Sequence, residues 1–181
     1  ATLHPRLFYY ANNGAQFALG FTYTGEKRSG GDLLAVKGRA DSSHVYIEEN
    51  ASDRSVADLQ YRYSTKDGSR EWTAKAAVSQ YARRRSLPDW TFNGAQQNWF
   101  VEAAYKRRVN QHIHWVGGLN YSGDAFQKGK TDSLQFSNFQ NQSSGVFGQT
   151  AFHRGKLDAE AGLRIDWRST WGTFALPSAA L

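Results

Sequence analysis

Strict alternation of apolar and polar residues is the feature of this sequence that most constrains its fold. In residues 157–167 every odd position is apolar, and the even positions carry charges such as Asp158, Glu160 and Arg164. A helix would scatter those charges around its circumference, whereas a strand sends successive side chains to opposite faces. The pattern therefore predicts a β-strand with one apolar face and one polar face.

The same pattern recurs in segments joined by turns. Residues 54–64 and 71–79 alternate on either side of an Asp67-Gly68 turn, the residue pair that a tight hairpin favours. Similar pairs are predicted at residues 3–11 with 15–24, 97–107 with 112–121 and 143–153 with 157–167. The connections alternate between short ones, at residues 12–14, 65–69, 108–111 and 154–156, and long ones, at residues 25–53, 83–94 and 122–141.

Long loops at one end and short turns at the other are typical of an antiparallel up-and-down transmembrane β-barrel, with the short turns periplasmic and the long loops extracellular. We predict a barrel segment of about nine membrane strands, with a small hairpin in the loop at residues 25–53 that pairs residues 33–39 with 44–49. The sequence contains no apolar run of ~18 residues, so no transmembrane helix is predicted. Two alternatives remain open: a soluble β-sandwich or barrel that binds a ligand through its loops, and a smaller outer-membrane barrel acting as a pore or adhesin.

Composition narrows the function classes. The aromatic content is 14% in a chain of mean hydropathy −0.65, a combination expected where only alternate residues face lipid. The net charge is +6, but the basic residues gather at strand ends and turns instead of forming one stripe, so no nucleic-acid partner is predicted. Cysteine is absent, which excludes disulfides and thiolate metal sites.

Enzyme chemistry is not predicted. No Gly-x-Ser-x-Gly motif occurs, and the adjacent carboxylates Glu48 and Glu49 would point to opposite faces of a strand. His112 and His114 are expected to share a strand face, but no third ligand lies near them in sequence. We therefore predict no catalytic residues, no metal site and no cofactor.

Residues 145–152, 157–166 and 171–177 resemble the mid-barrel strands of TonB-dependent outer-membrane receptors. In that family a Gly-x-Phe-x-Gln strand precedes Leu-x-x-x-x-Gly-Leu-Arg-x-Asp and then a strand of the type Pro-x-x-x-Leu. The matching residues here are Gly162, Leu163, Arg164, Asp166 and Pro177. Residues 87–94, followed by 96–97, resemble an extracellular loop and strand start of the same family. The strand pattern is similar over nearly the whole chain, but the specific motif is confined to residues 145–181.

The resemblance implies a protein of the bacterial outer membrane that takes up a scarce nutrient such as a ferric siderophore, haem or cobalamin. It implies binding of this small-molecule or metal-chelate ligand by loops and a plug domain, and energy supplied by the TonB system through the plug. Family barrels have 22 strands, so we expect residues 1–181 to be an internal segment of a larger barrel. Its partners would be membrane lipid, lipopolysaccharide and the remaining barrel and plug.

Two sets of residues are candidates for function. Aromatic residues near strand ends on the apolar faces are expected to form a girdle at the lipid interfaces, and basic and aromatic residues of the second long loop are expected to contact an anionic group of a ligand or of lipopolysaccharide. The girdle set is Trp72, Trp99, Tyr105, Trp115, Tyr121 and Trp167; the loop set is Arg83, Arg84, Arg85, Trp90 and Phe92.

Overall fold

The structure is a computed structural model in which residues 1–130 and 137–181 are described, and it consists almost entirely of β-strands. One short helix interrupts them, near the first long connection. The elements are β1 (Thr2–Leu3), β2 (Arg6–Tyr10), β3 (Ala15–Gly31), α1 (Leu33–Val36), β4 (Ile47–Ser64), β5 (Arg70–Leu87), β6 (Trp90–Arg108), β7 (Ile113–Lys128), β8 (Phe139–Arg154), β9 (Leu157–Arg168) and β10 (Gly172–Ala180).

All ten strands belong to one antiparallel sheet, in which each strand from β3 to β9 pairs with the next strand along the chain. β1 and β2 both pair with β3 and together form one edge of the sheet, interrupted at Pro5, which has no N–H to donate. The Pro5 carbonyl still accepts a hydrogen bond from the Phe21 N–H at 3.1 Å. The sheet is an open meander that is not closed into a barrel, with β1 and β2 at one edge and β10 at the other.

The short turns lie where the sequence predicts them, and together they define the short-turn end of the sheet. Gly14, Gly68 and Gly155 have φ values of 88°, 63° and 65°, in the left-handed region that favours glycine. Hydrogen bonds from Ser69 and Thr65 lock the Asp67-Gly68 turn and hold the pKa of the Asp67 carboxyl well below its usual range. The turn before β7 uses no glycine, because the Asn110 side chain accepts hydrogen bonds from the His112 and Ile113 N–H groups.

The long connections predicted from sequence are mostly strand, and this corrects the prediction. β5 continues to Leu87 and β6 begins at Trp90, so only two residues separate strands where a loop at residues 83–94 was expected. Gly94, expected at the end of that loop, lies inside β6, where a Cβ would come within 2.7 Å of the Phe126 ring. Apolar and polar side chains do not alternate regularly in residues 83–94, but backbone hydrogen bonding between strands does not depend on that alternation.

The hairpin predicted within residues 25–53 is wrong. β3 extends to Gly31 and pairs there with Ile47, and residues 33–36 form the helix α1. Asp32 closes this loop, since its carboxylate accepts a hydrogen bond from the Tyr46 N–H at 3.1 Å. β7 and β8 likewise reach Lys128 and Phe139, which shortens the third predicted loop; residues 131–136 of that loop lie outside the described residues.

The described sheet is a single layer with no second sheet packed on it. Among the described residues only two apolar ones, Ala15 and Ala35, are buried, and no large side chain is fully buried. Central residues of the apolar face remain open, with Val78 55% and Leu119 60% exposed. In a soluble domain such residues would be buried in a core. In the described chain no second layer of protein covers this face.

Replacing Gly68 by alanine is expected to destabilise the protein, because a Cβ is strained at the left-handed backbone conformation of this turn. The expected loss in the free energy of unfolding is about 1 kcal/mol, measured by denaturant unfolding of the intact protein. Gly30→Ala is the matched control, since a Cβ there meets no atom within 4 Å. Equal losses in the two variants would contradict a specific role for the turn.

Candidate functional surfaces

Register carries the period-2 pattern from strand to strand, so that one face of the whole sheet is apolar. From β3 to β7 the same row contains Leu19, Leu59, Ala76, Val101 and Tyr121, and neighbouring rows on this face are similar. We call this side the apolar face. The opposite side, which carries residues such as Asp58, Lys75 and Glu102, is the polar face.

Aromatic rings in contact mark the short-turn edge of the apolar face. The Trp72 ring lies between Tyr63 and Tyr105, with centroid distances of 5.4 and 5.0 Å, and Tyr105 packs edge-on against Trp115 at 5.2 Å. Phe17 extends the line toward the edge of the sheet through Tyr61 at 5.0 Å and Tyr9 at 6.2 Å. Such pairs stabilise neighbouring strands, and they form a nearly continuous aromatic row along this edge.

A second aromatic row borders the apolar face toward the long-loop end. It contains Tyr23, Trp99, Tyr121 and Trp167, and the Tyr23 hydroxyl donates to Asp53 at 2.6 Å. The six girdle residues predicted from sequence thus all lie on the apolar face, with Trp72, Tyr105 and Trp115 at one edge and Trp99, Tyr121 and Trp167 at the other.

From β3 to β7 both aromatic rows are inclined to the hydrogen-bond direction by the same amount, whereas from β7 to β9 the second row follows the register, since Tyr121 and Trp167 both pair with Ser144. The register connects Phe17 on β3 with Leu119 on β7, but the edge aromatic of β7 is Trp115, four positions closer to the short turns. It also connects Tyr23 with Ala125, and the edge aromatic there is Tyr121, again four positions closer. Four positions over four strand steps is one residue per strand, an inclination of about 35° for strands ~4.8 Å apart with a rise of ~3.4 Å.

The two rows therefore enclose a band of constant height, which we call the apolar band. Six positions separate Phe17 from Tyr23 on β3 and Trp115 from Tyr121 on β7, a length of about 20 Å along the strand. Beyond the band β3 continues eight positions to Gly31 at the long-loop end, but only two positions to Ala15 at the short-turn end. β3 thus projects roughly 25 Å past the band at the long-loop end, whereas β9 ends at Arg168, one position past Trp167.

Ion pairs and polar networks concentrate on the polar face. There Arg6 pairs with Asp58 at 3.1 Å, Arg62 with Glu71 at 2.6 Å and Lys75 with Glu102 at 3.5 Å, each across neighbouring strands. These groups keep partial exposure, so each pair contributes little stability by itself. Their common position shows that this face suits contact with water or with a polar partner.

The most enclosed polar cluster lies over Gly145. Asp166 is only 5% exposed and accepts two hydrogen bonds from the Arg164 Nε, at 3.0 and 2.9 Å, while Asn120 beside it is 7% exposed. A Cβ at Gly145 would collide with the Asp166 carboxylate and lie 2.6 Å from the Asn120 amide oxygen. The absence of a side chain at Gly145 is what lets this carboxylate lie flat against the sheet.

The predicted loop residues Arg83 to Arg85 lie in β5 and are divided between the two faces. Arg83 donates to the Asn50 amide oxygen at 2.8 Å and Arg85 pairs with Glu48 at 2.7 Å, both on the polar face, whereas Arg84 is on the other face. The pairing with Glu48 raises the pKa of Arg85 above its ordinary value. The Arg85 guanidinium also lies 5.7 Å from the Trp90 ring centroid. Arg83, Arg85 and Trp90 therefore come together, and Arg84 does not.

Three phenylalanines stack on the projecting part of the polar face, and the sequence analysis identified only one of them. Phe92 and Phe139 stack on either side of Phe126, with centroid distances of 6.3 and 5.7 Å. Phe92 was a candidate, but Phe126 and Phe139 fell in a segment read as loop. Alternation along the strand provides no signal for Phe126, which lies out of phase with the apolar positions Leu119 and Tyr121 of the same strand.

The histidines His112 and His114 lie at the short-turn end of β7. His112 lies in the turn just before β7, where its Nδ1 contacts the His153 carbonyl at 2.9 Å, whereas His114 is on β7. Within the described residues no group of three His, Cys, Asp or Glu side chains is placed to hold a metal ion. No helix in that same part of the chain has the length and apolarity needed to cross a membrane.

Comparison with known proteins adds no assignment: no family model, curated protein or solved structure matches the chain.

A side chain at Gly145 is expected to displace Asp166 from Arg164. Gly145→Ala should lower the free energy of unfolding by roughly 1–3 kcal/mol, because it crowds a packed position and disturbs a charged hydrogen-bond pair. Gly148→Ala on the same strand is the matched control, since the nearest atom to its Cβ is 3.9 Å away. Denaturant unfolding of the intact protein measures both; an equal effect at the two glycines would show that the cluster has no special role.

Proposed function

We propose that this chain forms part of the wall of a bacterial outer-membrane β-barrel. The supporting observation is the apolar band, whose two aromatic edges run parallel from β3 to β7 and are inclined there by about 35° to the hydrogen-bond direction. Strands of outer-membrane barrels tilt by roughly 35–45° and carry an apolar band ~25 Å tall between aromatic girdles. Along strands tilted by about 35°, the ~20 Å between edge positions corresponds to a height of about 17 Å, and the edge rings extend the apolar band further toward the ~25 Å of that geometry.

In this proposal the apolar face meets lipid and the polar face lines a wet lumen. Apolar side chains then contact lipid and polar side chains contact water, without a second layer of protein. This arrangement accounts for a sheet whose apolar face is widely exposed. A soluble sandwich would need a second sheet over residues such as Val101, and none covers them in the described chain. The sandwich alternative therefore has less support than the membrane wall.

The open edges of the sheet require completion. Unpaired backbone N–H and C=O groups cost several kcal/mol each in hydrocarbon, so an open sheet does not persist in a membrane. We propose that further strands pair with the β1–β2 edge and with β10 to close the barrel. With nine strand positions already present in the described sheet, the closed barrel would be a large one, with a lumen wide enough for a plug or for passage of solute.

At a finer level, we propose a TonB-dependent receptor for a scarce large nutrient such as a ferric siderophore, haem or cobalamin. This rests on the resemblance of residues 157–166 and 171–177, which fall in β9 and around β10. The tall one-sided extension of the strands would form the extracellular vestibule, and the short turns would lie in the periplasm. A plug domain inside the lumen would bind TonB, and lipid and lipopolysaccharide would surround the wall.

The vestibule would offer Arg83, Arg85, Trp90 and Phe92 to a ligand, on the polar face. Guanidinium groups suit anionic chelates, and the adjacent rings supply apolar contact. Arg84, on the outer side of the extension, would instead face lipopolysaccharide phosphate. A passive pore or adhesin would use the same wall, but the specific motif of residues 145–181 favours the receptor.

Site-directed spin labelling tests the membrane wall, and the absence of cysteine from this chain makes single labels straightforward. Ala76 and Ala77 are adjacent on β5 and point to the apolar and polar faces respectively. In the intact protein in liposomes, a label at Ala76→Cys should be more accessible to oxygen and a label at Ala77→Cys to a water-soluble nickel complex. Aqueous accessibility at both positions would refute the membrane assignment.

Substitution of the polar-face arginines tests the ligand contact. Arg83→Ala combined with Arg85→Ala is expected to weaken binding of an anionic ligand by roughly tenfold or more, because two charge-assisted hydrogen bonds are lost. Arg84→Ala, on the opposite face, should change binding by less than about twofold. Binding assays with ferric siderophores, haem and cobalamin on the intact receptor measure this. A larger loss from Arg84→Ala would reverse the proposed orientation of the vestibule.

A further inference from the structure

Two arginines lie directly opposite each other on neighbouring strands of the apolar face. Arg70 on β5 is the register partner of Arg107 on β6, and both side chains are exposed. Directly opposite residues have Cβ atoms ~5 Å apart, and like charges at that separation destabilise the strand pair. The arrangement therefore carries a cost that the sheet by itself does not relieve.

Neither arginine has a carboxylate partner in the described chain. Elsewhere the structure does pair its arginines: Arg62 with Glu71, Arg85 with Glu48 and Arg164 with Asp166 are all within 3 Å. Those pairs lie on the polar face. On the apolar face beyond the short-turn aromatic row, the charged strand residues are Arg70, Arg107 and Arg154, all basic.

The opposite edge of the apolar face differs. Past the long-loop aromatic row, β4 contributes the acidic residues Glu49 and Asp53 to this face, along with basic Lys27 and Arg84 on its neighbours. The purely basic border is thus a property of the short-turn edge and not of the chain's general positive charge.

The aromatic pair next to the arginines fixes the depth of this border. Trp72 and Tyr105 are register partners two positions from Arg70 and Arg107 on the same strands, and their rings lie 5.0 Å apart. Aromatic girdles lie at the level of lipid head groups and the adjoining glycerol region. The two guanidinium groups are therefore placed just outside the hydrocarbon, where phosphate groups are found.

We propose that Arg70 and Arg107 together bind the phosphodiester of a phospholipid in the leaflet that faces the short turns, with Trp72 and Tyr105 contacting the adjoining glycerol and upper acyl chain. Two guanidinium groups complement the oxygens of one phosphate, and the bound anion removes the repulsion between them. The ring pair explains why a lipid fits better than free phosphate. The inference rests on the proposed membrane location of the apolar face.

The test uses the intact protein purified in neutral detergent and measures its thermal unfolding midpoint during titration with a short-chain phosphatidylglycerol. Parallel titrations use a diacylglycerol of the same chain length, which lacks phosphate, and inorganic phosphate. Arg70→Gln combined with Arg107→Gln is compared with wild type. Arg39→Gln combined with Arg54→Gln is the control, because it removes the same net charge from the first long connection and from the polar face.

Phosphatidylglycerol is expected to raise the midpoint of the wild type and of the control. The Arg70/Arg107 variant should need roughly tenfold more lipid or greater for the same shift, and without lipid it should be at least as stable as the wild type because the repulsion is gone. Equal lipid response in all three proteins, or equal loss in the variant and the control, would overturn the proposal. So would an equal response to inorganic phosphate or to diacylglycerol. Failure of the membrane location itself would appear separately, as aqueous accessibility of the label at Ala76.

Discussion

The hydrogen-bonded register between strands is the constraint on which the rest of this structure depends. Each strand alternates between two kinds of side chain, but only a fixed register aligns those alternations into two continuous faces. A slip of one residue at the β5–β6 pair would place Val101 on the polar face and Glu102 on the apolar one. Such a slip is costly because it moves every side chain of the strand to the wrong face. The tight turns at Gly14, Gly68 and Gly155 fix the register at the start of each hairpin.

A sheet with this register has no conventional core, and its stability must come from the surroundings of its two faces. Ala15 is one of only two buried apolar residues in the described chain, and the polar residues Asn120 and Asp166 are equally buried. Apolar side chains are thus no better buried than polar ones, unlike in a soluble domain. Lipid on one side and water or a plug on the other would satisfy both faces, which connects the packing to the proposed function.

The inclined aromatic rows connect the local pairing to the orientation of the whole sheet. Cross-strand ring contacts such as Trp72 with Tyr105 stabilise adjacent strands, yet the drift of the rows by four positions between β3 and β7 has no local cause. A level interface crossing tilted strands requires that drift. The proposed membrane interface would also account for the arginine pair just beyond the rings, which is unfavourable within the sheet and would be favourable beside phosphate.

Sequence alone determined the strands within the apolar band, their facing and the short turns, because period-2 alternation and positive-φ glycines leave few alternatives. It also placed residues such as Trp72 and Trp115 on one face. Only the tertiary structure decided how far the strands continue past the band, since backbone hydrogen bonding accepts almost any side chain and leaves no pattern to read. For the same reason the separation of Arg84 from Arg83 and Arg85, and the pairing of Arg70 with Arg107 across 37 positions of the chain, emerged only when the register was known.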